Sequence, residues 1–299
     1  MNQRFNFDEE IRCDYKVSSN RKKLWACELD MLDILDKICN ELNIQYFLIF
    51  GSALGAVRHD GFIPWDDDID IGMIREDFEI FRKEGCRLLP EYIGNQYGVS
   101  KHGVDTVLRL RDSRTTGITY LELKRPGNKG AFIELYPFDH VKNVYLRDIQ
   151  VFFTDKCVRL MRKIEAKMEI NDNNKLICLK MIWKLYETVC KLQNRFSCKY
   201  VDTIALPGYT TKREDLFEEK YVSKTIIHKF ENTKVRLPMG NDICLTQQYG
   251  NYMKFPPVEE RGTFHENIVF YDPNVSYKEY LNSDIPKRYF EGDNDLNLL

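Results

Sequence analysis

The sequence lacks several features that would assign it to a common protein class at once. No uninterrupted apolar run approaches the roughly 20 residues that a membrane-spanning helix needs, and residues 1–20 lack the apolar stretch of a signal peptide. The net charge is −2, without the basic excess that is typical of nucleic-acid-binding proteins. We therefore expect a cytoplasmic protein that has no nucleic acid among its partners.

The cysteines also lack the spacing of a metal or disulfide framework. There are nine, an odd number, scattered along the chain with no Cys-x-x-Cys pair and no Cys/His cluster. This pattern argues against a structural zinc site and favours free, mostly buried thiols in a reducing compartment.

What is present is the composition of a soluble globular protein, with 43% hydrophobic and 30% charged residues among 299. Residues 20–143 alternate helical and strand patterns, which predicts an α+β catalytic core with a mixed β-sheet flanked by helices. The predicted helices are 20–42 and 76–89, with Ser19 or Asn20 as the first N-cap, and the predicted strands are 46–50, 68–73, 106–111, 116–121 and 131–136.

Residues 144–200 form a predicted helical insertion, with helical periodicity over 145–169 and 174–198. From Tyr145 to Tyr200 the chain has 12 Lys or Arg and 6 Asp or Glu. Two interpretations stay open: a solvated helical hairpin packed on the core, or a basic surface that meets anionic lipid or an anionic glycan. Residues 201–285 are loop-rich and aromatic and are expected to complete the site, and 286–299 form a polar tail.

The strongest chemical signal is a set of alternating acids, Asp66, Asp68 and Asp70, that follows a Gly-Ser turn at residues 51–52. In extended structure alternate side chains share one face, so Asp68 and Asp70 would project together, with Asp66 if extension begins there. Parallel carboxylates repel one another unless a cation lies between them, and hard oxygen ligands suit Mg²⁺ or Mn²⁺. We predict that Asp68 and Asp70 are catalytic metal ligands.

Two simpler interpretations of these acids fit less well. A calcium loop of the EF-hand type that begins at Asp66 would need Gly at its sixth position and Glu at its twelfth, where the chain has Ile71 and Asp77. A solvated acidic turn would not place Ile69 and Ile71 between the acids as a strand does.

A third carboxylate is expected from a neighbouring strand, and Glu134 is the best candidate. An acid within an apolar strand is unfavourable unless it is paired or bound to a metal. Glu134 could complete the metal shell or act as general base toward an acceptor hydroxyl. A structural salt bridge to Arg109 or Arg111 is the alternative.

Several further residues are predicted to bind an anionic substrate. Gly51 lets the backbone approach phosphate oxygens closely, and Ser52 adds a hydroxyl. Arg58 follows the Gly-Ser turn, and its planar guanidinium pairs well with phosphate. Arg109 and Arg111 share one strand face and form a second basic set. Asp66 is included with these substrate-binding residues.

Five segments of the chain together resemble the LicD family, which comprises phosphocholine transferases and relatives such as fukutin and fukutin-related protein. They are residues 50–59 (FGSALGAVRH), 64–72 (PWDDDIDIG), 132–139 (FIELYPFD), 249–253 (YGNYM) and 256–261 (PPVEER). The sequence departs from the family pattern at Glu134 and Asn251, where the family commonly has Asp. The resemblance implies a nucleotidyltransferase-like fold and adds Tyr249 and Arg261 to the substrate-binding residues.

The resemblance also implies an activity, the metal-dependent transfer of a phospho-alcohol from a CDP-activated donor. The acceptor would be a sugar hydroxyl of a cell-surface glycan or its lipid-linked precursor, and CMP would be released. Such an acceptor implies peripheral contact with the inner membrane surface. The sequence does not distinguish choline, ethanolamine, ribitol and glycerol as headgroups. Two other functions stay open: a nucleotidyltransferase that uses a nucleoside triphosphate, and a non-catalytic glycan-binding scaffold.

Overall fold

The computed structural model describes residues 5–119, 127–167, 173–194, 198–205, 213–261 and 268–281, and it confirms the α+β class. The α-helices are α1 (Ser19–Leu42), α2 (Phe50–His59), α3 (Arg75–Lys83), α4 (Val144–Glu165), α5 (Asn173–Cys190), α6 (Glu219–Val222) and α7 (Asn241–Tyr249). Short 3₁₀ turns cover Gly85–Arg87, Val258–Glu260 and Tyr277–Tyr280.

The strands form one mixed sheet and three two-stranded pairs. They are β1 (Glu10–Arg12), β2 (Tyr15–Val17), β3 (Phe47–Leu48), β4 (Asp70–Ile74), β5 (Ile93–Ser100), β6 (Gly103–Asp112), β7 (Thr116–Thr119), β8 (Ala131–Val141), β9 (Tyr200–Asp202), β10 (Phe217–Glu218), β11 (Thr225–Phe230), β12 (Thr233–Pro238) and β13 (Ile268–Asp272).

The mixed sheet is built around the long strand β8. On one side β8 pairs in parallel with β4, and β4 pairs antiparallel with β3. On the other side β8 pairs antiparallel first with β6 and then with β9, while β5 and β10 form the outer strands. The remaining pairs are β1 with β2, β11 with β12, and β7 with β13.

Helix α1 covers this sheet, and local capping sets its ends. The Ser18 side chain accepts a hydrogen bond from the backbone N–H of Arg21, so the N-cap lies one residue before the predicted Ser19. Asn43 adopts a left-handed conformation at the other end, as expected for a helix stop.

Near the acids, two elements of the structure differ from those predicted from the sequence. Gly51 and Ser52 lie in the first turn of α2 rather than in a turn that precedes it. The strand predicted from Asp68 begins at Asp70, and Asp66–Ile69 are irregular. The Asp66 carbonyl accepts hydrogen bonds from two side chains of α1, whereas the Ile69 carbonyl accepts one from the Glu134 N–H of β8 at 3.0 Å, so regular strand pairing starts only at the end of this segment.

Helix α3 is fixed to β8 by a buried ion pair. Arg75 donates two hydrogen bonds to Asp139, from Nε at 2.8 Å and from Nη2 at 2.7 Å, and both residues are buried. The periodicity predicted a helix to residue 89, but α3 ends at Lys83 and a 3₁₀ turn follows at Gly85.

The helical insertion is confirmed as a hairpin, α4 and α5, placed between β8 and β9. The helices end earlier than their sequence patterns, at Glu165 and Cys190, and residues 168–172 and 195–197 lie outside the described ranges. The inward residues of both helices share one apolar cluster with Val104 of β6 and Ile204, which follows β9.

The part of the chain after residue 213 contains more regular structure than its composition indicated. It supplies the β11–β12 hairpin, α7 and β13. Phe230, Leu237, Leu245 and Tyr271 from these elements pack into the same apolar cluster as α1. Among the residues that the structure describes, none of the helices combines the length and apolarity that spanning a bilayer requires.

Candidate active site

The acidic segment is fixed by two side chains of α1. The Arg21 guanidinium and the Trp25 indole N–H both donate to the carbonyl oxygen of Asp66, at 3.1 and 2.9 Å. The donors are four residues apart and therefore lie on one face of the helix. The Trp25 ring also stacks on Phe62 at 4.7 Å between centroids. This anchoring holds the acids against the core.

The start of α2 forms a second wall of the site. The Ser52 hydroxyl oxygen accepts a hydrogen bond from the Asp70 backbone N–H at 2.8 Å. A Cβ atom at Gly51 would lie 2.6 Å from an Asp66 carboxylate oxygen, so only glycine lets that carboxylate pack here. Phe50 has a φ of +48°, which is unfavourable for an aromatic residue, and its ring meets the Tyr136 ring edge-on at 5.3 Å.

Three consecutive acids come together in the structure. Asp66, Asp67 and Asp68 each place a carboxylate oxygen within 4.8 Å of the other two. Asp67 was missed because strict alternation assigned it to the opposite face. Alternation does not hold for Asp66–Ile69, because this segment is not a strand. Asp67 is buried, and its carboxylate also accepts a hydrogen bond from the Ile268 backbone N–H at 2.7 Å.

Asp70 and Glu134 lie beside this group on adjacent strands. They are direct register partners across the β4–β8 pair, and Arg109 of β6 is the partner of Glu134 on its other side. One Glu134 oxygen accepts a hydrogen bond from Arg109 and the other accepts one from the Tyr136 hydroxyl. The salt bridge to Arg109 that the sequence left open is therefore present.

The pKa values of these carboxylates shift in two directions: upward for Asp66, Asp68 and Asp70, and downward for Glu134. Burial, together with the charges of Asp67 and Asp70, raises the pKa of Asp66 to about 8. Burial and the neighbouring acids also raise the pKa values of Asp68 and Asp70 well above the usual range. Burial opposes ionisation of Glu134, but the Arg109 charge and the hydrogen bond from Tyr136 outweigh it and lower the pKa.

The residues fit a hard divalent cation. All the ligand atoms are carboxylate oxygens, which Mg²⁺ and Mn²⁺ prefer. One buried oxygen of Asp70 has no hydrogen-bond partner in the described part of the chain, which leaves it available for a cation. Asp66, Asp67 and Asp68 would hold such an ion, with Asp70 and Glu134 beside them. The predicted ligand set was Asp68, Asp70 and Glu134.

A further carboxylate lies beneath the acids and was not singled out from the sequence. Glu28 of α1 is fully buried, and neither of its oxygens has a hydrogen-bond partner among the described residues. Burial and the charges of Asp68, Asp67 and Asp66 raise its pKa well above the usual range. The sequence does indicate a buried carboxylate here, because Glu28 occupies the apolar face of the helix, four residues after Leu24 and four before Leu32.

A cavity of about 390 Å³ opens next to the acids. Gly51, which packs against the Asp66 carboxylate, also lines this cavity. Four aromatic side chains line it as well: Trp65, Tyr249, Tyr252 and Phe255. A pocket of this size and character suits a small organic group held beside charged atoms.

Two predicted substrate-binding arginines flank this cavity. Arg58 donates to the Tyr252 carbonyl at 2.9 Å and lies 5.0 Å from the centroid of the Phe255 ring. Arg261 donates to the Pro256 carbonyl at 3.1 Å and lies 5.3 Å from the Trp65 ring. In this structure both guanidinium groups hold the segment Tyr252–Pro256, the aromatic loop, in place against the cavity.

Arg111 occupies a different position. It is fully buried, donates to Gln96 at 2.8 Å and to the Gly130 carbonyl at 2.9 Å, and packs over the Phe132 ring. Arg109 packs over the same ring, so the two arginines share a face as predicted. Arg111 has no exposed surface to offer a substrate, and its contacts hold strands of the sheet together.

Comparison with known proteins links this site to one family. The family model described as LicD/FKTN/FKRP, nucleotidyltransferase domain, matches residues 43–164, a range that contains all five acids of the site. The lipopolysaccharide cholinephosphotransferase LicD of Haemophilus influenzae is 28% identical over 258 residues, which cover 82% of this chain and 95% of that protein.

Other relatives match shorter stretches. The uncharacterized protein RP689 of Rickettsia prowazekii is 38% identical over 94 residues, which cover 31% of this chain and 32% of that protein. The human ribitol 5-phosphate transferase FKRP is 53% identical over 34 residues, 11% of this chain and 7% of that protein. Residues 43–164 are therefore similar to the nucleotidyltransferase domain of the LicD family, and most of the chain is similar to the LicD protein of Haemophilus influenzae.

Proposed function

We propose that this protein transfers a phospho-alcohol, phosphocholine or a similar group, from a CDP-activated donor to a sugar hydroxyl. The acceptor is a cell-surface glycan or its lipid-linked precursor, and CMP is released. The observation that carries the proposal is the array of acids beside an aromatic cavity, with Gly51 belonging to both. The names of two relatives, a cholinephosphotransferase and a ribitol 5-phosphate transferase, support the reaction class.

The acids are proposed to hold Mg²⁺ or Mn²⁺. When bound, such a cation neutralises charge on the donor diphosphate and on the departing CMP. Asp66, Asp67 and Asp68 would hold it, and Asp70, with one unpaired buried oxygen, is the nearest addition from β4. In the transfer a bond forms between the acceptor oxygen and phosphorus, the bond between phosphorus and the CMP oxygen breaks, and the hydroxyl proton passes to a base, for which Glu134 is the candidate.

Glu134 has two proposed roles that an experiment can separate. It is held by Arg109 and Tyr136, which lower its pKa, and it is proposed either to complete the metal shell or to take the hydroxyl proton once a contact loosens. If Glu134 is a metal ligand, Glu134→Gln weakens Mg²⁺ binding in calorimetry. If it is the general base, the same change lowers kcat and leaves Mg²⁺ affinity intact.

The aromatic cavity is proposed to receive the donor headgroup. Trp65, Tyr249 and Tyr252 offer ring faces that attract a quaternary ammonium group by cation–π interaction. Arg58 and Arg261 already lie over the Phe255 ring of the aromatic loop, so they are proposed to fix its shape and to meet donor phosphate when it binds. Ser52 and the backbone at Gly51 lie at the floor, next to the acids.

The proposed setting is the cytoplasmic side of a membrane, where a lipid-linked acceptor is met. Five of the nine cysteines are buried free thiols, which suit a reducing compartment.

The proposed activity is tested by CMP release. The protein is incubated with Mg²⁺, a CDP-alcohol and a lipid-linked glycan fraction, and Asp70→Asn is compared with Asp14→Asn at an exposed turn. CMP formation that requires Mg²⁺ and is lost only in Asp70→Asn supports the proposal. Release of pyrophosphate from a nucleoside triphosphate, without CMP from any CDP-alcohol, would support the nucleotidyltransferase alternative instead.

A further inference from the structure

The outward face of the helical hairpin is apolar and has no partner among the described residues. On α4 five large apolar side chains are exposed: Tyr145, Ile149, Phe152, Phe153 and Leu160. Tyr145 is 80% exposed and Phe152 58%. Because these positions are opposite the buried residues of α4, they form one stripe that points away from the protein, with Lys156 on the same face between Phe152 and Leu160.

Helix α5 repeats this arrangement. Ile177, Met181 and Leu185 are each four residues apart and 56%, 69% and 57% exposed. They are opposite Leu179 and Tyr186, which are buried in the cluster shared with α4. Exposed apolar side chains scattered singly are ordinary, but two parallel stripes on neighbouring helices mark an interaction surface.

The charges that surround these stripes have one sign. The exposed charged residues of the two described helices are all basic, namely Lys156, Arg159, Arg162, Lys163, Lys180 and Lys184. The acids of these helices are only partly exposed, and two of them pair with Arg159 and Arg162. No carboxylate in the described part of the chain lies within 4.0 Å of the four lysines, so their charges face outward.

We infer that this hairpin face, defined by the two apolar stripes and the four lysines, docks on a bilayer that contains anionic phospholipid. Aromatic and aliphatic side chains enter the boundary between headgroups and acyl chains, and the lysines meet the anionic headgroups. A second copy of the chain is a poorer partner, because two copies that meet through this face would bring their positive charges together, and these charges repel each other. The inference locates the membrane contact named in the proposed function.

The electrostatic contribution of the lysines to membrane binding can be separated from the contribution of the apolar side chains. Each lysine near an anionic surface contributes about fivefold to the partition coefficient, so removing four lowers it by roughly 600-fold. That contribution falls at high salt, because the Debye length falls from about 10 Å at 0.1 M to about 3 Å at 1 M. The apolar contribution persists at high salt.

The test is cosedimentation of the full chain with vesicles of phosphatidylglycerol and phosphatidylcholine, against vesicles of phosphatidylcholine alone. One variant changes the lysines of the face to glutamine: Lys156, Lys163, Lys180 and Lys184. Its control changes four exposed lysines elsewhere: Lys37, Lys224, Lys229 and Lys234. A second variant changes Ile149, Phe152, Met181 and Leu185 to serine, and its control changes the exposed Ile11 and Ile227.

The expected result is binding to the anionic vesicles that both face variants lose and both controls keep. Circular dichroism should show all variants folded, because every changed side chain is exposed. Absence of wild-type binding to anionic vesicles would overturn the inference, and so would equal binding by the face variants. Concentration-dependent dimers in ultracentrifugation that the face variants abolish would assign the surface to a second copy instead. The assay contains neither donor nor acceptor, so its failure is distinct from failure of the proposed transfer reaction.

Discussion

The acids of the candidate site should make the metal-free protein less stable as the pH rises. Asp66 is 3% exposed and its pKa is about 8 in the folded state, against 3.8 as the ordinary value for an aspartate. Between these two values the unfolded chain has lost the proton and the folded chain keeps it. The stability contributed by the protonated carboxyl is complete below about pH 4 and is lost as the pH rises toward 8.

The size of the effect follows from this difference. One retained proton changes the free energy of unfolding by about 1.4 kcal/mol per pH unit, so Asp66 alone lowers it by roughly 2 to 3 kcal/mol from pH 5.5 to 7.5. For a chain of this length that corresponds to a fall in Tm of roughly 5 °C. Asp68, Asp70 and Glu28 shift in the same direction and steepen the fall.

The assay is thermal unfolding in chelator across this pH range, with and without Mg²⁺. Asp66→Asn should flatten the slope, whereas Asp14→Asn, at an exposed turn, should leave it unchanged. Mg²⁺ at 100 times its Kd should add about 2.7 kcal/mol at pH 7.5 and less at pH 5.5, because protons compete with it. Parallel pH profiles for wild type and Asp66→Asn, or a Tm that rises with pH, would refute this reasoning.

Four further substitutions test the site and its support. Asp68→Asn or Asp70→Asn should lower CMP release by on the order of 100-fold or more, with circular dichroism unchanged, because each removes charge from the cation site. Gly51→Ala should also lower turnover by on the order of 100-fold, because the new methyl group displaces the Asp66 carboxylate. Its Tm should change little, because alanine stabilises the helix by about 1 kcal/mol relative to glycine. Arg75→Leu leaves Asp139 buried without its ion-pair partner and should reduce the free energy of unfolding in urea by about 3–5 kcal/mol.

Each of these expectations has a contrary result. Near-normal turnover in either aspartate variant would remove that residue from the site. A fully active Gly51→Ala would show that Asp66 can move without consequence. A urea midpoint within error of wild type for Arg75→Leu would mean that the pair with Asp139 does not hold α3 to β8.

Most elements near the site could be predicted from the sequence, because local signals set them. Helical periodicity and Asn43 define α1, and an apolar strand with one acid locates Glu134 on β8. The helical insertion follows from two long periodic patterns. These features depend on neighbours within a few residues, which a single sequence displays directly.

The rest depends on contacts between distant parts of the chain. Asp67 joins the acids because Arg21 and Trp25 hold the carbonyl of Asp66, so the segment is not the strand that alternation predicts. The burial of Arg111 depends on Gln96 of a neighbouring strand. The β11–β12 hairpin was not predicted, although residues 225–238 contain the β-branched residues that strands favour. Its pairing is stabilised by Phe230, Val235 and Leu237, which pack into the core formed with α1, a contact between distant parts of the chain.

The central claim, that the site takes a CDP-activated donor together with a divalent cation, is tested most directly by donor-binding calorimetry in Mg²⁺. CDP-choline, CDP-ethanolamine, CDP-glycerol and CDP-ribitol are compared with CTP and ATP. We predict that one CDP-alcohol binds more tightly than CTP and that binding is lost in Asp70→Asn or in chelator. Binding of a triphosphate with no heat from any CDP-alcohol would contradict the account.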